Sequence, residues 1–119
     1  MPFRDFARAF RDILDALTQI EEFVSGMDFD SFCGDPKTIA AVERKLLVIS
    51  EAAIRLGPEA QQRCPGPPWN DIRGIGNWLR HQYDAVELPV LWNTVTVDLP
   101  SLKKQILPVL ESPGNPPTA

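Results

Sequence analysis

Apolar residues recur at spacings of three and four along most of this chain, and no stretch shows the alternation of period two that a half-buried strand needs. Phe6, Phe10, Ile13, Leu14, Leu17, Ile20 and Val24 form one such stripe, with Arg8, Arg11, Asp12, Asp15 and Glu22 between them, which predicts a long amphipathic helix stopped at Gly26. Met27 to Gly34 reads as a loop pinned by Phe29 and Phe32. Asp35-Pro36 supplies an N-cap and a first-turn proline for a second helix. Its stripe is Ile39, Val42, Leu46, Ile49 and Ala53, widened by Ala40, Leu47 and Ile54, and so broad an apolar front predicts a central position.

Gly57-Pro58 closes that helix, and Cys64-Pro-Gly-Pro-Pro68 reads as a loop of extended backbone. A third helix is expected from about Asn70, with Ile72, Ile75 and Leu79 facing the core and two interior glycines, Gly74 and Gly76. Each costs about 1 kcal/mol relative to alanine, so a close approach by another backbone or a ligand is expected on that side. Leu88, Leu91, Trp92 and Val95 suggest a fourth helix weakened by the β-branched run Thr94 to Val97. Asp98-Leu-Pro100 then re-caps a fifth, carrying Leu99, Leu102, Ile106, Val109 and Leu110 inward. The fold class expected is all-α, an antiparallel bundle of four to five helices over residues 1–111, with 112–119 a flexible proline-rich tail.

A chain of 119 residues is the size of one domain. Cys33 and Cys64 lack the spacing of a zinc site and are read as reduced thiols, so neither metal nor cofactor is expected. No uninterrupted apolar run suggests a signal or a membrane span, and cytoplasm is the default location. A net charge of −4 disfavours general attraction to nucleic acid but leaves room for a local basic strip.

The chemistry concentrates in Trp69-Asn-Asp-Ile-Arg-Gly-Ile-Gly-Asn-Trp-Leu-Arg-His-Gln-Tyr83, which holds the only histidine, His81, and the only tyrosine, Tyr83. That imidazole is the one group suited to acid–base work near neutral pH. At about 100° per helical residue, His81 stands roughly 40° from Asn77 and roughly 80° from Arg73, with Arg80 alongside. A lone histidine at a helix end also serves as a dipole partner or cap, and Trp69, Trp78 and Trp92 serve as core or interface anchors as readily as base-stacking platforms.

The pattern Trp-x-x-Ile-x-Gly-x-x-Asn-x-Leu-x-His-x-Tyr resembles the signature of the HEPN superfamily in its HepT-like (DUF86) branch. Ala41-Val-Glu-Arg-Lys-Leu-Leu-Val-Ile-Ser-Glu-Ala-Ala53 is similar to that family's second-helix segment, where a Glu-Arg pair precedes an Ile-Gly-Glu-Ala run. The resemblance implies an all-α homodimer, the toxin of a HEPN/MNT toxin–antitoxin pair, cutting RNA without metal. It also implies a cognate minimal nucleotidyltransferase antitoxin (MntA-like) that silences the toxin by transferring AMP to a tyrosine. By position His81 matches the catalytic histidine, Tyr83 the modified tyrosine and Asn77 the motif asparagine.

One position departs. The family's Arg-x4-6-His-x-Tyr places arginine before the asparagine, where this chain has Gly76. Arg80 and Arg73 are the candidate substitute clamps for a phosphate, and Gly76→Arg is expected to raise activity if the missing clamp limits it. The alternative function is a catalytically weakened or inactive HEPN subunit that binds a nucleotidyltransferase.

Overall fold

A computed structural model describes residues 3–81 and 87–111, with side-chain surroundings from Asp5 onward; the expected tail, 112–119, lies outside the described residues. Every regular element among them is helical, as the periodicity predicts. Helix α1 (Phe3–Phe23) buries Phe6, Phe10, Ile13, Leu17 and Ile20 along one stripe. It ends where Gly26 adopts φ +77°, a left-handed conformation that only glycine takes cheaply.

The segment read as a loop contains a short helix, α2 (Phe29–Cys33). Asp28 Oδ1 accepts from the Ser31 amide at 2.8 Å, and the Asp28 amide donates to Ser31 Oγ at 3.0 Å. This reciprocal cap nucleates one turn that drives Phe32 fully into the core. Helix α3 (Pro36–Leu56) starts as expected, with Asp35 accepting from the Thr38 amide at 3.0 Å and from its hydroxyl at 2.8 Å. These bonds hold the Asp35 carboxyl below the usual carboxylate range.

Helix α3 packs on α1 and buries Val42, Leu46, Ile49, Ala53 and Leu56. The widened front is narrower than expected, because Ala40 is exposed and Ile54 is 58% exposed. Gly57, at φ +54°, ends α3 and leads directly into α4 (Pro58–Arg63), a short helix that the Gly-Pro pair concealed. Helix α5 (Trp69–His81) lies antiparallel to α3, since Arg73 bonds Ala53 and Gly57 while Gly76 meets Ser50 and Leu47.

Helix α6 (Leu88–Asn93) and α7 (Leu99–Glu111) are not separated by the expected Asp98 cap. A π-helical turn over Thr94–Asp98 joins them. Thr94 and Thr96 donate their hydroxyls to the carbonyls of Val90 and Trp92, at 3.0 and 2.8 Å. The widened turn comes just before Pro100, which has no N–H for a regular ladder. Helix α7 packs mainly on α1, whereas α5 packs mainly on α3. Between them opens a groove of about 610 Å³, walled by Gly74, Ile75 and Trp78 on one side and by Val90, Leu99 and Leu102 on the other.

Candidate active site

Helix α5 is seated by its first residue. Trp69, 2% exposed, meets the Phe10 ring edge-on at 5.9 Å, and its Nε1 donates to the Cys64 carbonyl at 2.7 Å. The aromatic body therefore fills the core while its polar edge closes the proline-rich loop. Burial pushes the Cys64 thiol up, which keeps it inert. From that anchor, Ile72 and Gly76 fall inward, Ile75, Trp78 and Leu79 are half-buried, and Asn70, Gly74, Asn77, Arg80 and His81 are exposed. The three tryptophans divide: Trp69 is core, Trp92 packs on Phe32 at 4.9 Å between centroids, and Trp78 walls the groove.

Asn77, Arg80 and His81 thus share the outward side and the C-terminal half of α5, as the helical spacing predicts. The two candidate arginines differ in what they touch. Arg73 donates from Nη2 to the Gly57 carbonyl at 2.8 Å and to Gln61 Oε1 at 2.7 Å, from Nη1 to Asn70 Oδ1 at 3.0 Å, and from Nε to the Ala53 carbonyl at 3.4 Å. Its guanidinium adds a second donor to two carbonyls at the end of α3 that backbone amides already engage. Arg80 makes no hydrogen bond or ion pair with the described residues and keeps its fork of donors available. Tyr83 lies outside the described residues.

The two glycines also part company. A Cβ on Gly76 would stand 3.2 Å from Leu47 Cδ1 and 3.3 Å from Ser50 Oγ, so here another helix does come close. A Cβ on Gly74 would meet nothing within 4 Å, so the approach anticipated there has no source among the described residues. The side chain of Gly76→Arg would start in tight contact with α3, and it fits only if Leu47 and Ser50 give by a few tenths of an ångström. Ser50 escaped the sequence reading. Its only signal was a polar residue among the apolar positions of α3, and it is buried to 1% exposure.

The Ribonuclease HepT-like family model matches residues 13–109, which includes α3 and α5 with His81. Among similar proteins, one of Thermococcus cleftensis named "Probable ribonuclease HepT" is 39% identical, over 77% of this chain and 84% of its own length. One of Methanocaldococcus jannaschii named "Putative RNase MJ1380" is 30% identical, over 89% of this chain and 97% of its own. A third, of Caldanaerobacter subterraneus, named "Putative RNase TTE0752", is 33% identical over 76% of this chain and 80% of its own. No solved structure gives a significant match. With a helical bundle, a matching model over most of its length and these relatives, the chain belongs to the HepT-like ribonuclease family.

Proposed function

We propose that the protein is an endoribonuclease in which His81 moves the proton, Arg80 holds the scissile phosphate and Asn77 lies beside them. The observation that carries this reading is the company His81 keeps: an exposed imidazole flanked on one helix by an amide and by a guanidinium free of partners among the described residues. In the reaction the ribose 2′-oxygen attacks phosphorus, its proton passes to a base, the bond to the 5′-oxygen breaks and an acid protonates that leaving oxygen. Imidazole serves as base or acid, and guanidinium offsets the charge gathering on the phosphoryl oxygens. In this reading the imidazole takes one of the two proton transfers and the arginine the charge, with no metal required. Purified protein should therefore cut RNA in the presence of a chelator and leave a 2′,3′-cyclic phosphate; loss of cleavage on chelation would sink the metal-free mechanism. A chain that cuts no RNA but binds a nucleotidyltransferase would instead favour the inactive-subunit reading.

One chain offers one imidazole, and a two-fold dimer would offer two in a shared cleft. Gly74 supports a seam along α5, because it is open on the wall of an apolar groove and a helix interior otherwise disfavours it by about 1 kcal/mol. The Cβ of Gly74→Leu would meet no described residue within 4 Å, so the variant should stay folded while self-association weakens. Light scattering at micromolar concentration reads this directly. A monomeric wild type, or a dimer untouched by the substitution, would remove α5 from the seam.

The reading extends to regulation: the protein acts as the toxin of a pair whose partner is a minimal nucleotidyltransferase. That partner would transfer AMP from ATP to the Tyr83 hydroxyl, releasing pyrophosphate. The resulting phosphodiester would bring negative charge and bulk close to Arg80 and His81, where the RNA phosphate must sit. Co-expression with such a partner should yield an AMP adduct on Tyr83 by peptide mass spectrometry. An adduct that persists in Tyr83→Phe would place the modification elsewhere.

A further inference from the structure

Among the described residues Ser50 is the one polar side chain in the buried core, and both hydrogen bonds of its hydroxyl go to the backbone of α5. Its hydroxyl donates to the Arg73 carbonyl at 2.9 Å and accepts from the Gly76 amide at 3.1 Å. A buried hydroxyl must be satisfied, so this pair of bonds specifies both the rotation of α5 about its axis and its position along α3. The contact is tight at residue 76, because a Cβ there would stand 3.3 Å from Ser50 Oγ and the hydroxyl would have to give by a few tenths of an ångström. Gly76 is therefore the socket into which Ser50 fits.

The socket bears on the arginine. Nη1 of Arg80 lies 3.6 Å from the point where that Cβ would stand, so the guanidinium folds back over the flank of residue 76. Arg73, which shares the Ser50 bridge through its carbonyl, uses its own guanidinium to hold α5 to the end of α3. Two ties on the inner side of one helix thus present Asn77, Arg80 and His81 on the outer side.

We infer that Ser50 is a positioning residue for the RNA-cleaving site, acting through Gly76 on the placement of Arg80. This rests on the nuclease reading given above, and its consequence for the arginine can be measured apart from activity. Ser50→Ala keeps the volume of the helix and removes only the hydroxyl. Gly76→Ala keeps the hydroxyl and obstructs the socket. Both variants should fold. In each, the Arg80 Nε–Hε group should become more mobile by ¹⁵N relaxation, and kcat should fall by about tenfold or more, with KM changing less, as expected when a catalytic group is displaced rather than lost.

The double variant separates this role from general loosening. If Ser50 acts through the arginine, Ser50→Ala should have little further effect in an Arg80→Ala background. Effects that multiply in the double variant, or an Arg80 side chain equally ordered with and without the Ser50 hydroxyl, would overturn the inference. A wild type that cuts no RNA, with Arg80 nevertheless loosened by Ser50→Ala, would support the positioning role and sink the nuclease reading alone. If Ser50→Ala fails to fold, Gly76→Ala decides the matter by the same two readouts.

Discussion

Alanine at His81 should lower RNA cleavage by about a hundred- to ten-thousandfold while leaving the fold intact. The size follows from the role proposed for the imidazole, since general acid–base catalysis contributes rate factors of that order. The specificity of the loss follows from exposure. His81 is the last residue of α5 and its side chain faces solvent, so even a lost interaction with the helix C-terminus should cost no more than about 1 kcal/mol. Cleavage of an end-labelled RNA, with the thermal midpoint measured on the same preparation, separates the two effects. Undiminished cleavage by His81→Ala would take the imidazole out of the mechanism and leave no described residue to replace it in the role proposed here.

Trp69→Ala is expected to cost about 3–5 kcal/mol, the range for removing a buried aromatic from a core. Three contributions act together. The substitution empties the space beside Phe10, removes the edge-on ring contact at 5.9 Å and leaves the Cys64 carbonyl without its indole donor. A domain of this size has a total stability of only about 5–15 kcal/mol, so the variant should unfold at a much lower urea concentration. It should also lose its site before it loses its fold, because Trp69 seats the start of the helix that carries Asn77, Arg80 and His81. A midpoint within error of wild type would show that α5 is held by α3 alone, through Ser50 and Arg73.

Much of the architecture was legible because the interactions that make it are local. The stripe from Phe6 to Ile20 is buried as its period demands, and Asp35 caps α3 through Thr38, three residues away. The Asp28–Ser31 cap was equally local, and α2 went unread only because its five residues are too few to show a period. The π-helical turn was less accessible. The β-branched run Thr94 to Val97 suggested a weakened helix end, and whether the ladder ends or widens there depends on the packing of both flanks.

By itself the sequence determined the helical class, the stretch that carries the chemistry and the exposure of Asn77, Arg80 and His81 on one side of α5, since each follows from spacing along a single helix. Only the tertiary structure decided which arginine is free and what Gly76 is for. The partners of Arg73 lie at Ala53, Gly57 and Gln61 as well as Asn70, and those of Gly76 at Leu47 and Ser50, on helices brought together by packing rather than by neighbourhood in the chain. A guanidinium reads the same in sequence whether it faces solvent or donates to carbonyls of another helix. A glycine likewise reads the same whether it faces open space, as Gly74 does, or receives a hydroxyl from the next helix, as Gly76 does. That difference depends on distances between elements, which no local spacing encodes.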